Sequence, residues 1–328
     1  MGKRGVLILV AVVALGCAAH AADLQMNGLV QTQYVDEGNA VSQYLVKAAR
    51  LKVQVPIANR VTGRFQADFA RDPLILDATI DFKVNDYATF TAGQFKIPFG
   101  YDFQLPRFYL ETIERSLIMK KVFANGASSP YVRDVGVMVN GRFKLINYEV
   151  ATVNGTGYNY YGEDAASVGV FPKWYADNNN TKDLVGRVGI GVPLFAGLGF
   201  SIYEGEWASD KDRSAWDFYF HVDTGKVIFQ YEYVRGEGYL GTDEWMANKY
   251  SGYYVIVGYR VIPLIQPTFK VDKFDPNRSE GDDKLTDYYY GLNFNYERTA
   301  RLQVFYRDSK KAGDFAGKGW RAQVSVLY

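Results

Sequence analysis

RVTGRFQADFAR, residues 60–71, sets Val61, Gly63, Phe65, Ala67 and Phe69 on one side of an extended chain and Thr62, Arg64, Gln66 and Asp68 on the other. The next segment, ILDATIDFKV, repeats the pattern with Leu76, Ala78, Ile80, Phe82 and Val84 opposite Asp77, Thr79, Asp81 and Lys83. Further on, Tyr253, Val255, Val257, Tyr259 and Val261 share a face, as do Tyr288, Tyr290, Leu292, Phe294 and Tyr296. A period of two with one oily and one charged face is the mark of strands with unlike surroundings on their two sides.

Alternation alone also suits a soluble sandwich, so the connections have to discriminate. Sixteen strands can be drawn: 24–35, 43–55, 60–71, 75–84, 88–96, 131–140, 143–153, 184–192, 198–206, 215–223, 226–235, 252–262, 266–274, 286–297, 300–308 and 318–328. The even-numbered connections are then tight, as in PIAN after Val55, NGR at 140–142, DTG at 223–225 and ERT at 297–299. Several odd-numbered ones are long and polar: 97–130, 154–183, 236–251 and 275–285. Short turns on one end and long loops on the other, with an even strand count, are the pattern of an outer-membrane barrel. A closed sheet also leaves no unpaired strand edge in lipid. The expected fold is therefore all-β, a transmembrane antiparallel barrel of about 16 strands.

The N-terminal 22 residues read differently. Lys3 and Arg4, the apolar run Val6–Leu15 and the small residues around His20 form a secretory signal peptide, leaving 23–328 as the barrel domain. The only cysteine, Cys17, goes with it, so neither a disulfide nor Cys-ligated zinc is expected in the exported chain. Its 35 basic and 36 acidic residues give no pull toward nucleic acid. The 26 Tyr and 21 Phe instead suit the interface of a lipid layer, making outer-membrane lipid the first expected partner. At the other terminus, GWRAQVSVLY alternates Trp320, Ala322, Val324, Val326 and Tyr328 against Arg321, Gln323 and Ser325. A terminal aromatic on such a strand resembles the assembly signal of bacterial outer-membrane barrels.

One stretch breaks the period. FYLETIERSLIMKKVF, residues 108–123, spaces its apolar positions three and four apart and sets Glu111 one helical turn before Arg115, which predicts a short helix inside the third long connection. Pro106 precedes it and Ala124-Asn125-Gly126 closes it. A connection of that length usually carries function.

GQFKIPFGYD at 93–102, the ETIERSLIMKKVF segment and RDVGVMVNGRFKLINYEVATVNGTG at 133–157 together resemble the phosphate-selective porin family of Gram-negative outer membranes. In that family the third loop folds into the barrel and narrows it, and selective members line the narrow part with arginine and lysine. The resemblance thus implies an inward-folded third loop carrying the short helix, diffusion of small anionic or polar solutes including phosphate, and a homotrimer in the outer membrane. Charge counted along the chain agrees. From Gln94 to Lys144 eight basic residues face four acids, Asp102, Glu111, Glu114 and Asp134. The resemblance makes Lys96, Arg107, Arg115, Lys120, Lys121 and Arg133 the candidate constriction and anion path, with Arg50, Lys52 and Arg64 on the lumen wall. At about 4 Å a pair of unit charges interacts by roughly 1 kcal/mol in water and about 4 kcal/mol at an effective dielectric of 20, so narrowness decides whether such cations filter. Asp68, Asp77 and Asp81 follow close behind Arg64 and no long arginine ladder appears, which favours general anion permeation over tight phosphate selectivity.

Chemistry has little to work with. His221 is the only histidine outside the leader, no cofactor is implied, and an enzyme is not expected. The acidic stretch 272–283 lacks the spacing of a calcium loop. The rival reading is a barrel sleeve holding a c-type cytochrome in an outer-membrane electron conduit, which would need an open interior.

Overall fold

The computed structural model describes residues 24–38, 41–70, 75–123, 133–155, 179–192, 195–206, 211–240, 245–281, 283–311 and 314–328. The expected leader, 1–22, and the expected helix stop at 124–126 lie outside them. Sixteen strands run in chain order: β1 Gln25–Asp36, β2 Gln43–Ala58, β3 Val61–Asp68, β4 Ile75–Lys83, β5 Thr89–Lys96, β6 Arg133–Phe143, β7 Ile146–Val153 and β8 Asp183–Val192, then β9 Ala196–Glu206, β10 Asp212–Asp223, β11 Val227–Leu240, β12 Trp245–Tyr259, β13 Ile265–Asp275, β14 Leu285–Tyr296, β15 Ala300–Lys311 and β16 Asp314–Leu327. Each pairs antiparallel with its sequence neighbour, and β1 closes on β16 through pairs such as Gln33 with Gln323.

The period of two becomes inside and outside. Along β13, Gln266, Thr268, Lys270 and Asp272 are buried while Phe269 and Lys273, on the opposite face, are exposed. The same inversion of water-soluble practice holds around the cylinder, with Gln31, Asp217, Glu232, Asn293 and Gln323 buried and Ile80, Val257, Tyr290 and Val324 exposed. In water that continuous oily belt would be an association hazard, whereas in hydrocarbon it is the solvent-matched face.

Closure leaves its own trace at the C-terminus. The Tyr328 ring packs against Gly28, where any side chain would clash with it, and the two residues exchange backbone hydrogen bonds of 2.7 and 3.1 Å. The terminal aromatic therefore packs on β1 as well as ending β16. One expectation is corrected: 236–251 is not a long loop. Strands β11 and β12 run on through it, pairing Glu237 with Lys249, and only 241–244 connects them.

Candidate functional site

Residues 97–123 follow β5, and their partners decide where they lie. The N–H groups of Tyr101 and Asp102 donate to the two carboxylate oxygens of Glu232 on β11, at 2.8 and 3.0 Å, and the N–H of Gly100 to Ser201 on β9 at 3.1 Å. The N–H of Leu117 donates to Asp272 on β13 at 2.9 Å. From the wall, Asn293 on β14 donates to the Glu111 carbonyl at 3.0 Å, Gln303 on β15 to the Leu110 carbonyl at 3.2 Å, and Arg301 to the Phe108 and Leu110 carbonyls at 3.3 and 2.8 Å. Glu111 closes on Arg301 at 2.8 Å, and Glu114 on Arg321 of β16 at 2.6 Å and Lys47 of β2 at 3.6 Å.

These partners are polar residues on the buried face of their strands. They form a belt in which Gln31 bonds Ser325, Gln323 bonds Gln303, Gln303 bonds Asn293, and Asn293 bonds Thr268. A typical hydrogen bond nets about 0.5–1.5 kcal/mol, while an orphaned buried partner costs roughly 1–3, so the belt and the segment satisfy each other. An apolar contact completes the docking: Phe99, Phe103, Leu117, Ile118 and Met119 pack with Met138, Val153, Val185, Val234 and Phe274. Nearer the turn end, Tyr101 stacks on His221 with ring centroids 4.3 Å apart, and Tyr219 lies over Gly199, whose bare backbone leaves it room.

The helix expected over 108–123 is corrected. The segment holds a 3-10 turn at Arg107–Tyr109 and a π-helical turn at Met119–Phe123, with 111–116 outside any helix. The carbonyls of Phe108, Leu110, Glu111 and Glu114 accept from wall side chains, or from Thr112 at 2.9 Å for the last. A short helix pays a nucleation penalty that these tertiary bonds do not. Arg115 donates to the Asp102 carbonyl and, at 2.7 Å, to the Leu105 carbonyl, and Asp102 caps the N–H of Ser116 at 3.1 Å.

The other candidates divide. Lys96 donates to the Phe103 carbonyl at 2.8 Å, Arg133 is buried against Asp77 at 2.6 Å rather than facing lipid, and Arg50 pairs with Asp68 at 3.0 Å. Arg64 forks onto Asp81 at 2.7 and 2.9 Å. Lys120 stands 3.7 Å from Glu114, Lys121 is exposed, and Arg107 is half-buried in the 3-10 turn. Lys52, half-buried on β2, has neither ion pair nor hydrogen bond among the described residues. Burial acts to raise the Glu114 carboxyl, and the charges of Lys120, Lys47, Arg321 and Arg107 outweigh it, holding it well below the usual carboxylate range. Two cavities open toward the turn end, of about 640 and 810 Å³, both lined by Tyr101, Leu105 and His221.

A scan against family models matches residues 22–194, more than half the chain, to phosphate-selective porin O and P. The chain belongs to that family. Family and fold together make it a β-barrel channel of the outer membrane type. No curated protein matches it significantly. Among solved structures it is similar to an OmpF of Salmonella typhi in complex with daunomycin, at TM-score 0.67 and 10% identity over 93% of this chain and 97% of that one. It is similar to an anion-selective porin from Comamonas acidovorans, at 0.64 and 12% over 93% and 99%. A trimer form of OmpT from Vibrio cholerae gives 0.62 and 11% over 93% and 99%. At those identities the likeness is one of fold.

The anchors Glu232, Asn293, Arg301 and Gln303 carry no motif in the sequence, and Asp272 enters there only as the start of the acidic stretch 272–283. Their signal was present only as inward position on an alternating strand; nothing local says which inward residues meet the segment 97–123.

Proposed function

We propose that this barrel is a diffusion channel for small anionic and polar solutes, phosphate among them, whose lumen is narrowed by residues 97–130 folded inward. The observation that carries the reading is the bonding of Gly100–Leu117 backbone groups to buried wall side chains on β9, β11, β13, β14 and β15. A segment bonded to the polar face of so many strands lies on the watery side of the sheet. Family membership supports the solute class, and the trimer form of the similar OmpT supports a homotrimer. The leader 1–22 takes the chain to the bacterial outer membrane. Filtering is by size and by field: a low-dielectric wall focuses the charge of cations that solutes can reach, raising the local anion concentration. No bond is made or broken, so no catalytic role is assigned.

The sleeve reading requires an open interior, which an inward-folded 97–123 segment would deny it. Reversal potential in a KCl gradient across a planar bilayer tests the proposal. Chloride carrying more current than potassium is expected, and a cation-selective pore would overturn it.

A further inference from the structure

The outer face of β12–β16 is layered in register. One row, Phe269, Tyr290, Tyr306 and Trp320, is joined by direct cross-strand pairing, with ring centroids 5.1 Å apart for Phe269–Tyr290 and 5.2 Å for Tyr306–Trp320. Aromatic rows of this kind mark the depth at which hydrocarbon gives way to headgroups. Four residues nearer the loop end lies a second row, Tyr253, Lys273, Thr286 and Lys310, again directly paired strand to strand. Lys273 is exposed and shares its face with Phe269, and its ammonium sits 5.8 Å over the Tyr253 ring; that of Lys310 sits 5.5 Å over Tyr288. Between the rows, Asp308 pairs across with Lys318, also on this outer face. The nearby Asp275 stands 3.6 Å from Lys284.

The opposite end of the same strands differs. There Tyr259, Val261, Leu264 and Tyr296 are exposed, while the arginines, Arg260 and Arg298, line the inner cavity. Among the described residues of these strands, cations therefore stand outside the aromatic row only at the loop end, the outer-leaflet side of such a barrel. Lys273 and Lys310 lie two strands apart, roughly 10 Å at the backbone, with the Thr286 hydroxyl between them. Long flexible stems let both ammonium groups converge on one headgroup while their methylenes lie along the rings.

We propose that this face binds the phosphate groups of a phosphorylated glycolipid in the outer leaflet, with Lys273, Thr286 and Lys310 as the headgroup clamp and the Phe269–Trp320 row as the acyl-chain platform. The proposal rests on the outer-membrane reading of the barrel. Its test is native mass spectrometry of the full barrel in detergent with bisphosphorylated hexa-acyl lipid A, beside the dephosphorylated lipid. The parent should retain the bisphosphorylated form, K273Q/K310Q should bind it roughly tenfold more weakly or worse, and K273R/K310R should restore it. Heat-modifiable gel mobility equal to the parent's establishes that the variants fold. Equal retention by K273Q/K310Q, equal retention of the dephosphorylated lipid, or displacement by equimolar inorganic phosphate would overturn the clamp. A parent that conducts in bilayers yet holds no lipid sinks only this proposal; one that does not conduct sinks the channel reading.

Discussion

Two arcs of the inner wall face the 97–123 segment differently. Along β13–β16 the polar residues, among them Gln266, Lys270, Asn293, Gln303 and Gln323, are almost wholly buried, and most of their bonding capacity goes to the segment or to one another. Along β2–β4, Lys52, Gln54, Arg64, Gln66 and Asp81 stay half-buried. On the proposed reading the first arc is a dock and the second is the wall left to the solute. A cation paired with a carboxylate contributes little to the field an anion meets. The excess of four positive charges counted along 94–144 therefore overstates any filter: Arg133 is paired with Asp77 at 2.6 Å and Arg115 stands 3.9 Å from the Asp102 carboxylate.

Undoing the dock should have the largest effect. E111A strands Arg301 in a buried site, and removing one partner of such a pair costs roughly 3–5 kcal/mol. Single-channel conductance should rise or become noisy and residues 97–123 should become protease-sensitive, while the barrel keeps its heat-modifiable mobility. An unchanged channel would mean the arc does not hold the segment. Q303L, which removes the donor to Asn293 Oδ1 and one of the two donors to the Leu110 carbonyl, should act the same way at about 1–3 kcal/mol, read as more frequent opening events.

Acid offers a graded version. Because cations hold the folded Glu114 carboxyl below its ordinary value of about 4.3, its stabilisation is complete above that pH and is lost as pH falls through the depressed folded value. Conductance should be flat from pH 8 to 5 as far as this group is concerned, with instability setting in below about 4. E114Q should show its defect already at neutral pH. If E114Q conducts like the parent at neutral pH, the cluster is not what holds the segment there.

On the open arc the expected effect is smaller. K52Q should reduce the chloride-to-potassium permeability ratio without changing conductance much, most visibly at low salt where screening is weak. K121Q, on an exposed side chain of the segment, serves as comparison and should shift the ratio less. A larger shift for K121Q than for K52Q would reverse the assignment of the two arcs.

The barrel was legible in the sequence because lipid on one side and water on the other impose a period of two on each strand, independently of distant residues. The connection lengths then ordered the strands, though the hairpin of β11 and β12 hid its extension behind Gly236, Gly238 and polar residues. The dock was not legible. Glu111 and Arg115 stand at helical spacing, but Glu111 meets Arg301 on a wall formed much later in the chain and Arg115 meets the Asp102 and Leu105 carbonyls of its own folded segment, neither of which that spacing contains. Of the wall cations, Arg50 meets Asp68 directly across and Arg64 reaches Asp81 two residues along the next strand, while Lys52 faces Gln66, a matter of cross-strand register that spacing along one strand does not contain.

Replacing residues 101–122 by a short Gly-Ser linker and recording single-channel conductance would settle whether that segment sets the width of the pore. With the barrel still closed and heat-modifiable, conductance should increase severalfold and the size limit for neutral solutes should rise with it. A conductance and size limit equal to the parent's would contradict a lumen narrowed by this segment.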